Sequence, residues 1–160
     1  MALPGSLAGW ISRCPPNGEL TASTWIETTR YRLDTNILIA MSKERPGLSD
    51  RLARYTSQEI VLSAVVIAEI EYGIAKSKCQ AHNRQVFDTL LEGFSLAAFD
   101  AAAARRYGTI RSQLLRQGQW IGPNDLMIAA HAMALDVVLV TDNVGEFSRV
   151  EGLSLENWLL

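Results

Sequence analysis

Asp34, Glu69, Asp125 and Asp142 are the residues whose types and settings could do chemistry. Asp34 follows the apolar run Tyr31–Leu33, and Asp142 follows Val137–Val140 by way of Thr141. Glu69 sits on the border of the helical face defined by Val66, Ile70 and Ile74, where an acid is costly unless paired or bound to a cation. Asp125 opens an apolar helical stretch. Taken singly, each has an ordinary explanation. Asp34 can cap a helix, and so can Asp125 with Asn124. Glu69 can reach water from the rim, and Asp142 can be a turn residue. Taken together, they fall where an open parallel sheet gathers its functional groups, beyond the carboxyl ends of its strands. Crowded carboxylates repel one another and protonate unless a cation neutralises them. Hard oxygen donors without cysteine or paired histidine favour Mg²⁺ or Mn²⁺ over zinc. Such an ion keeps several waters and lies well against phosphate. It can orient and deprotonate an attacking water, which is the chemistry of phosphodiester hydrolysis.

The elements that must position these acids are legible in the periodicity. Buried strands are expected at Tyr31–Leu33, Ile60–Leu62, Phe94–Ala98 and Val137–Val140. Helices are expected over 35–41, 48–57, Ala64–Lys76, His82–Leu91, about 101–117 and Asp125–Leu135, with Ser63 and Asp100 as N-caps. The last helix is apolar nearly all round, which places it centrally. Strands alternating with helices predict an α/β fold, a mainly parallel sheet flanked by helices.

Residues 1–30 read differently. Pro4, Pro15, Pro16 and Asn17-Gly18 give turn signals without a sustained period, so the expectation is a poorly ordered N-terminal extension followed by one domain over 31–160. Trp10 and Trp25 are the two large apolar side chains in that stretch. The 160 residues suit a single core. A 48% apolar, 20% charged composition excludes a disordered chain. The net charge of −2 gives no overall cationic field, so any nucleic acid must be held by a local patch and by metal ions. Cys14 and Cys79 have no metal-ligand spacing and read as free thiols. No apolar run reaches the roughly 20 residues of a membrane span, and the first ten residues lack a basic signal-peptide start. The reading is cytoplasmic, with no membrane association.

Four segments, Leu33–Leu38, Ala68–Ile74, Ile121–Ala132 and Leu139–Asn143 followed by Glu146-Phe147 and Gly152-Leu153, resemble PIN-domain toxins of the VapC type in order and spacing, over about residues 31–159. The resemblance implies a PIN-like three-layer sandwich and a Mg²⁺-dependent endoribonuclease, with Mn²⁺ as a possible substitute. It also implies a homodimer, an RNA substrate and neutralisation by a VapB-like antitoxin. Carried over residue by residue, Asp34, Glu69 and Asp125 match the acidic metal site and the catalytic set. The fourth position is divided between Asp142 and Asn143. Thr35, Asn36, Thr141 and Asn143 would hold carboxylates or waters in place. His131, inside the apolar helix, reads as a hydrogen-bonded core residue. Lys43, Arg45, Arg105, Arg106, Arg111 and Arg116 are basic residues near these segments that read as solvated.

Other readings are weaker. A haloacid-dehalogenase-type phosphatase needs a second Asp two residues after the first, where this chain has Asn36. A receiver domain needs an acidic pair and a late lysine. A structure-specific DNA nuclease needs inserts for which 160 residues leave no room. The alternative kept open is a PIN-fold binding module with weakened catalysis.

Overall fold

The computed structural model describes residues 31–160. The expected N-terminal extension, 1–30, lies outside the described residues.

The central strand β1 (Tyr31–Leu33) is followed by α1 (Thr35–Ser42) and α2 (Leu48–Leu52). Next come β2 (Ile60–Ser63), α3 (Ala64–Ala75), α4 (Gln80–Leu91) and β3 (Ser95–Ala97). The chain then forms α5 (Ala101–Arg116), α6 (Pro123–Leu135), β4 (Val138–Val140), α7 (Val144–Phe147) and β5 (Leu155–Glu156). The strands lie in the order β3-β2-β1-β4-β5, and all four pairings are parallel. This is the α/β architecture that the alternation of strands and helices predicts. The sheet is wholly parallel, because every crossover among its strands contains helical chain.

Connections leave β1 first toward β2 and β3, and later return to β4 on its other side. The order therefore reverses between β1 and β4, the place where open α/β sheets form a crevice at their carboxyl ends. Leu33, Leu62, Leu139 and Val140 are buried in the sheet, with Ile37, Leu38, Val66 and Ile128 on the helices against it. Helices α5 and α6 form the most extensive helix pair. The central placement expected for α6 is observed, since Ile128, Ala129, Ala130 and Ala132 have no exposed surface. Pro123 occupies the first turn of α6, where its missing N–H costs nothing.

Several boundaries differ from the sequence reading, for local reasons. The helix expected over 48–57 stops at Leu52, because Thr56 and Glu59 close a turn in which Glu59 accepts from the Thr56 amide and hydroxyl. Tyr55 then stacks on Trp158 with ring centroids 5.0 Å apart. Neither Asn124 nor Asp125 caps α6; that position belongs to Gly122. Strand β5 and the single turn α7 were not expected, being too short to show a period. Ser63 and Asp100 cap their helices as expected, accepting from the Val65 and Ala103 amides.

His131 is a core residue. It is 2% exposed, and its Nδ1 lies 3.1 Å from Ser63 Oγ and 2.5 Å from Arg32 Nη2. Arginine can only donate, so this nitrogen is the acceptor and the ring proton sits on Nε2. Burial, followed by the Arg32 charge, lowers the imidazole to about 4. Burial also lowers Arg32 to about 9.

Candidate active site

Each acid reaches the crevice by a specific local device. Asp34 continues β1, its amide donating to Val140 O of β4, so its side chain emerges at the strand end. Asp34 Oδ1 accepts from the Thr35 amide at 2.7 Å, and Oδ2 accepts from Thr141 Oγ1 at 2.7 Å. Thr141 Oγ1 accepts in turn from Asn36 Nδ2 at 3.1 Å and from the Asn143 amide at 3.0 Å. The groups expected to hold carboxylates, Thr35, Asn36, Thr141 and Asn143, thus form one network linking the ends of β1 and β4.

Glu69 projects from the second turn of α3. Its Oε2 accepts from the Thr35 hydroxyl and its Oε1 from Asn124 Nδ2 at 3.0 Å. Glu69 thereby ties α1, α3 and α6 together, which explains an acid on the border of an apolar helix face. Asp125 stands in the first turn of α6 beside Gly122. A Cβ at Gly122 would come within 3.0 Å of Asp125 Oδ2, so the absence of a side chain there lets the carboxyl approach its neighbours.

One further acid joins this set. Glu146, on α7, accepts from the Gly122 amide through Oε1 at 2.7 Å and from Asn143 Nδ2 through Oε2 at 3.0 Å. It also shares a hydrogen bond with Asp125. From the sequence, Asn143-x-x-Glu146 reads as a helix cap with a solvated third residue, and nothing local points to Asp125. Asp142 is exposed at the rim, close enough to raise Asp34, while Asn143 rather than Asp142 lines the cleft.

The electrostatics follow from this crowding. Burial raises Asp34 above the usual carboxylate range, with Glu69 and Asp142 adding to it against the lowering effect of its two hydrogen bonds. Asp125 is pushed up to about 7, first by burial and then by Glu146, Asp34 and Glu69. Glu146 moves down because Asn143 and the Gly122 amide stabilise its charge. One proton is therefore held on Asp125 and donated toward the Glu146 carboxylate.

The cleft is open and about 810 Å³ in volume. Ile39, Val65, Ala68, Tyr72 and Met127 give it an apolar wall, and Lys76 stands at its edge with Nζ 5.0 Å from the Tyr72 ring centroid. Tyr72 and Lys76 were not among the residues singled out from the sequence. Arg45, which was, is tied to Leu159 O at 3.2 Å.

The donor set fits a hard divalent cation. Among the described residues Asp34, Glu69, Asp125 and Glu146 form no salt bridge with any lysine or arginine, and the neighbouring acids add to burial in raising Asp125. No three Asp, Glu, His or Cys side chains among the described residues are grouped to ligate one ion directly. The arrangement suits an ion held by one or two carboxylates with water completing its shell, as Mg²⁺ prefers.

A family model described as the PIN domain matches residues 31–153. A Rickettsia felis protein named ribonuclease VapC2 is 39% identical over 130 residues, covering 80% of this chain and 97% of that protein. A Shigella flexneri protein named tRNA(fMet)-specific endonuclease VapC is 37% identical over 129 residues, 81% of this chain and 98% of that protein. Among solved structures, VapBC2 from Rickettsia felis bound to a promoter DNA fragment superposes with a TM-score of 0.76 at 36% identity, covering 81% of this chain and 99% of the matched one. DNA-bound VapBC from Salmonella typhimurium gives a TM-score of 0.77 at 30% identity, covering 81% and 98%.

Proposed function

The chain belongs to the PIN-domain family and, within it, to the VapC ribonucleases, and from that premise we propose that it is a Mg²⁺-dependent endoribonuclease acting as the toxin of a toxin–antitoxin pair. The observation that carries this reading is the convergence of Asp34, Glu69 and Asp125 on one open cleft at the reversal point of the sheet, with Glu146 hydrogen-bonded to Asp125 and no salt bridge to the set among the described residues. Of Asp34, Glu69 and Asp125, one or two would ligate Mg²⁺, or Mn²⁺ in its place, directly and the rest through bound water, with Asp142 at the rim of the same site. A bound divalent cation supplies activation of the attacking water and neutralisation of charge on the phosphate. The chain's own part is positioning. Thr35 and Asn124 orient Glu69, Thr141 and the Thr35 amide orient Asp34, and Glu146 retains the proton on Asp125 until a cation displaces it.

The matched VapBC structures make a VapB-like antitoxin the partner to expect, and a cleft with an acidic floor and an apolar wall suits an extended segment carrying basic and apolar side chains. A homodimer in the cytoplasm completes the reading. No helix among the described residues is long and apolar enough to cross a membrane. The name of the Shigella relative makes initiator tRNA the first substrate to test. Incubation of the purified chain with that RNA and Mg²⁺ should yield ends carrying 5′-phosphate and 3′-hydroxyl, because water is the nucleophile. Ends carrying 2′,3′-cyclic phosphate would reveal attack by the ribose hydroxyl and overturn the mechanism.

Residues 1–30 are proposed to be an extension dispensable for this activity. Asp34 is the first acid of the site, and the family match begins at residue 31. A chain restarted just before Tyr31 should keep full cleavage and antitoxin binding. A folded truncation that cleaves RNA but no longer binds antitoxin would place the extension in the interface.

A further inference from the structure

On the other side of the Trp120–Leu126 segment from the acidic cleft lies a second groove of about 220 Å³. Tyr107, Arg111, Leu114, Trp120, Ile121 and Pro123 line it. Trp120 is 63% exposed, although its backbone is fixed: Arg149 donates to its carbonyl, and the Gly122 amide two residues on donates to Glu146. The bonds around Gly122 and Glu146 therefore also anchor the backbone from which the indole projects. Arg111 lies over the Tyr107 ring, its Cζ 5.8 Å from the centroid, and donates to the phenolic oxygen at 3.2 Å. Helix α5, which forms one wall, carries Arg105, Arg106, Arg111 and Arg116 and no acid. All four arginines are exposed, and none forms a salt bridge among the described residues. Arg111 is the one that lines the groove, because at 3.6 residues per turn Arg105, Arg106 and Arg116 project from other sides of the helix.

We infer that this groove is a base-stacking subsite, in which Trp120 receives an unpaired nucleobase of the RNA while Arg111 holds the adjoining phosphate. The inference deepens the ribonuclease reading and rests on it. An exposed aromatic on an anchored backbone is a ready platform for a single-stranded base, and arginine serves both the phosphate and the π-face. Anionic RNA crossing a negatively charged cleft needs cationic purchase outside it, and Arg111 on α5 provides that in the second groove. Trp120 and Arg111 thereby become residues that hold an unpaired base and its phosphate without reading which base it is.

The test is equilibrium binding by the full chain in EDTA, where no cutting occurs, using oligoadenylate and an abasic ribose-phosphate oligomer of equal length. Wild type should bind oligoadenylate more tightly. Trp120→Ala should remove that preference with a loss of about 5- to 150-fold, and Trp120→Phe should restore much of it. Arg111→Ala should weaken both oligomers and flatten the salt dependence. Equal wild-type affinity for the two oligomers, or undiminished oligoadenylate binding by Trp120→Ala, overturns the subsite. So does a Trp120→Ala chain whose RNA affinity is unchanged while sedimentation shows its self-association lost, since the groove would then serve a second copy. An active wild type indifferent to the base overturns the groove alone. A wild type that prefers the base but never cuts RNA overturns the nuclease reading alone.

Discussion

Asp125→Asn is expected to lower RNA cleavage by about a thousandfold, the scale of several kcal/mol of lost transition-state stabilisation, while making the metal-free protein more stable at neutral and alkaline pH. Both effects come from the same carboxyl. In the folded chain it titrates near 7, well above its ordinary value of 3.8, because burial and three neighbouring acids oppose its ionisation. Below about pH 4 it is protonated in both folded and unfolded chains, and asparagine imitates that state, its amide donating to Glu146 as the carboxyl proton does. Between about 4 and 7 the unfolded chain loses this proton while the folded chain keeps it, so wild type loses stability relative to the variant as pH rises. Above 7 the gap is constant. The difference between the two proteins is the quantity to read, because His131, lowered to about 4 in the fold, contributes stability that rises with pH over part of the same range. Thermal unfolding of both chains in EDTA from pH 4 to 8.5 checks this: melting curves that run parallel would remove the proposed proton from Asp125. Asp34→Asn should also abolish cleavage, but it is not expected to stabilise in the same way. Thr141 Oγ1 already accepts from Asn36 and the Asn143 amide and donates to Asp34. The side-chain amide introduced by Asp34→Asn, if turned toward that oxygen, would find its acceptor positions taken.

Why Asp34 and Asp125 were legible, and Glu146 was not, comes down to the range of the signal. Asp34 follows a run of apolar residues that the parallel sheet buries, and Asp125 opens a helix with almost no polar face. In both cases the flanking pattern identifies the strand or helix end, and a general property of α/β sheets then says that such ends meet. Glu69 was legible for a different reason, because an acid at the edge of the Val66–Ile70–Ile74 face needs partners, and Thr35 and Asn124 are those partners. Glu146 lies in a single helical turn too short to show a period, and Asn143 at its N-cap donates to the Glu146 carboxylate without capping the turn. Only the approach of Gly122 in three dimensions gives it a role, and no periodicity encodes contacts between residues 24 apart. The same limit hid Trp120. A tryptophan between Gly118 and Gly122 reads as an incidental loop residue until the Arg149 and Glu146 bonds show that its backbone is held. Strand β5 illustrates the lower bound on length. Its two residues complete the sheet through Leu139 and Thr141 amides donating to Ser154 and Glu156, yet two residues cannot display an alternation.

Cleavage should fall to background in excess EDTA and return when Mg²⁺ or Mn²⁺ is added beyond the chelator. The site gives the reason to expect little catalysis from the metal-free protein at pH 7. A general base must be ionised, unengaged and within reach of a water molecule. Asp34 accepts from Thr35 and Thr141 and Glu69 from Thr35 and Asn124, one bond on each oxygen, which fixes both side chains and leaves one lone pair per oxygen for a cation or its water. Asp125 holds a proton with a pKa of about 7, and Glu146 is already stabilised as the acceptor of three donors: Asn143, the Gly122 amide and Asp125. His131, whose ordinary pKa would suit the task, is buried, directs Nδ1 to Ser63 and Arg32, and is lowered to about 4. Four acids arranged in this way can hold a cation but cannot readily move a proton unaided. Restoration by Ca²⁺ as fully as by Mg²⁺ would indicate that charge neutralisation alone suffices. Robust cleavage in EDTA would mean that one of these engaged groups is free in solution, and the metal-dependent reading would fail.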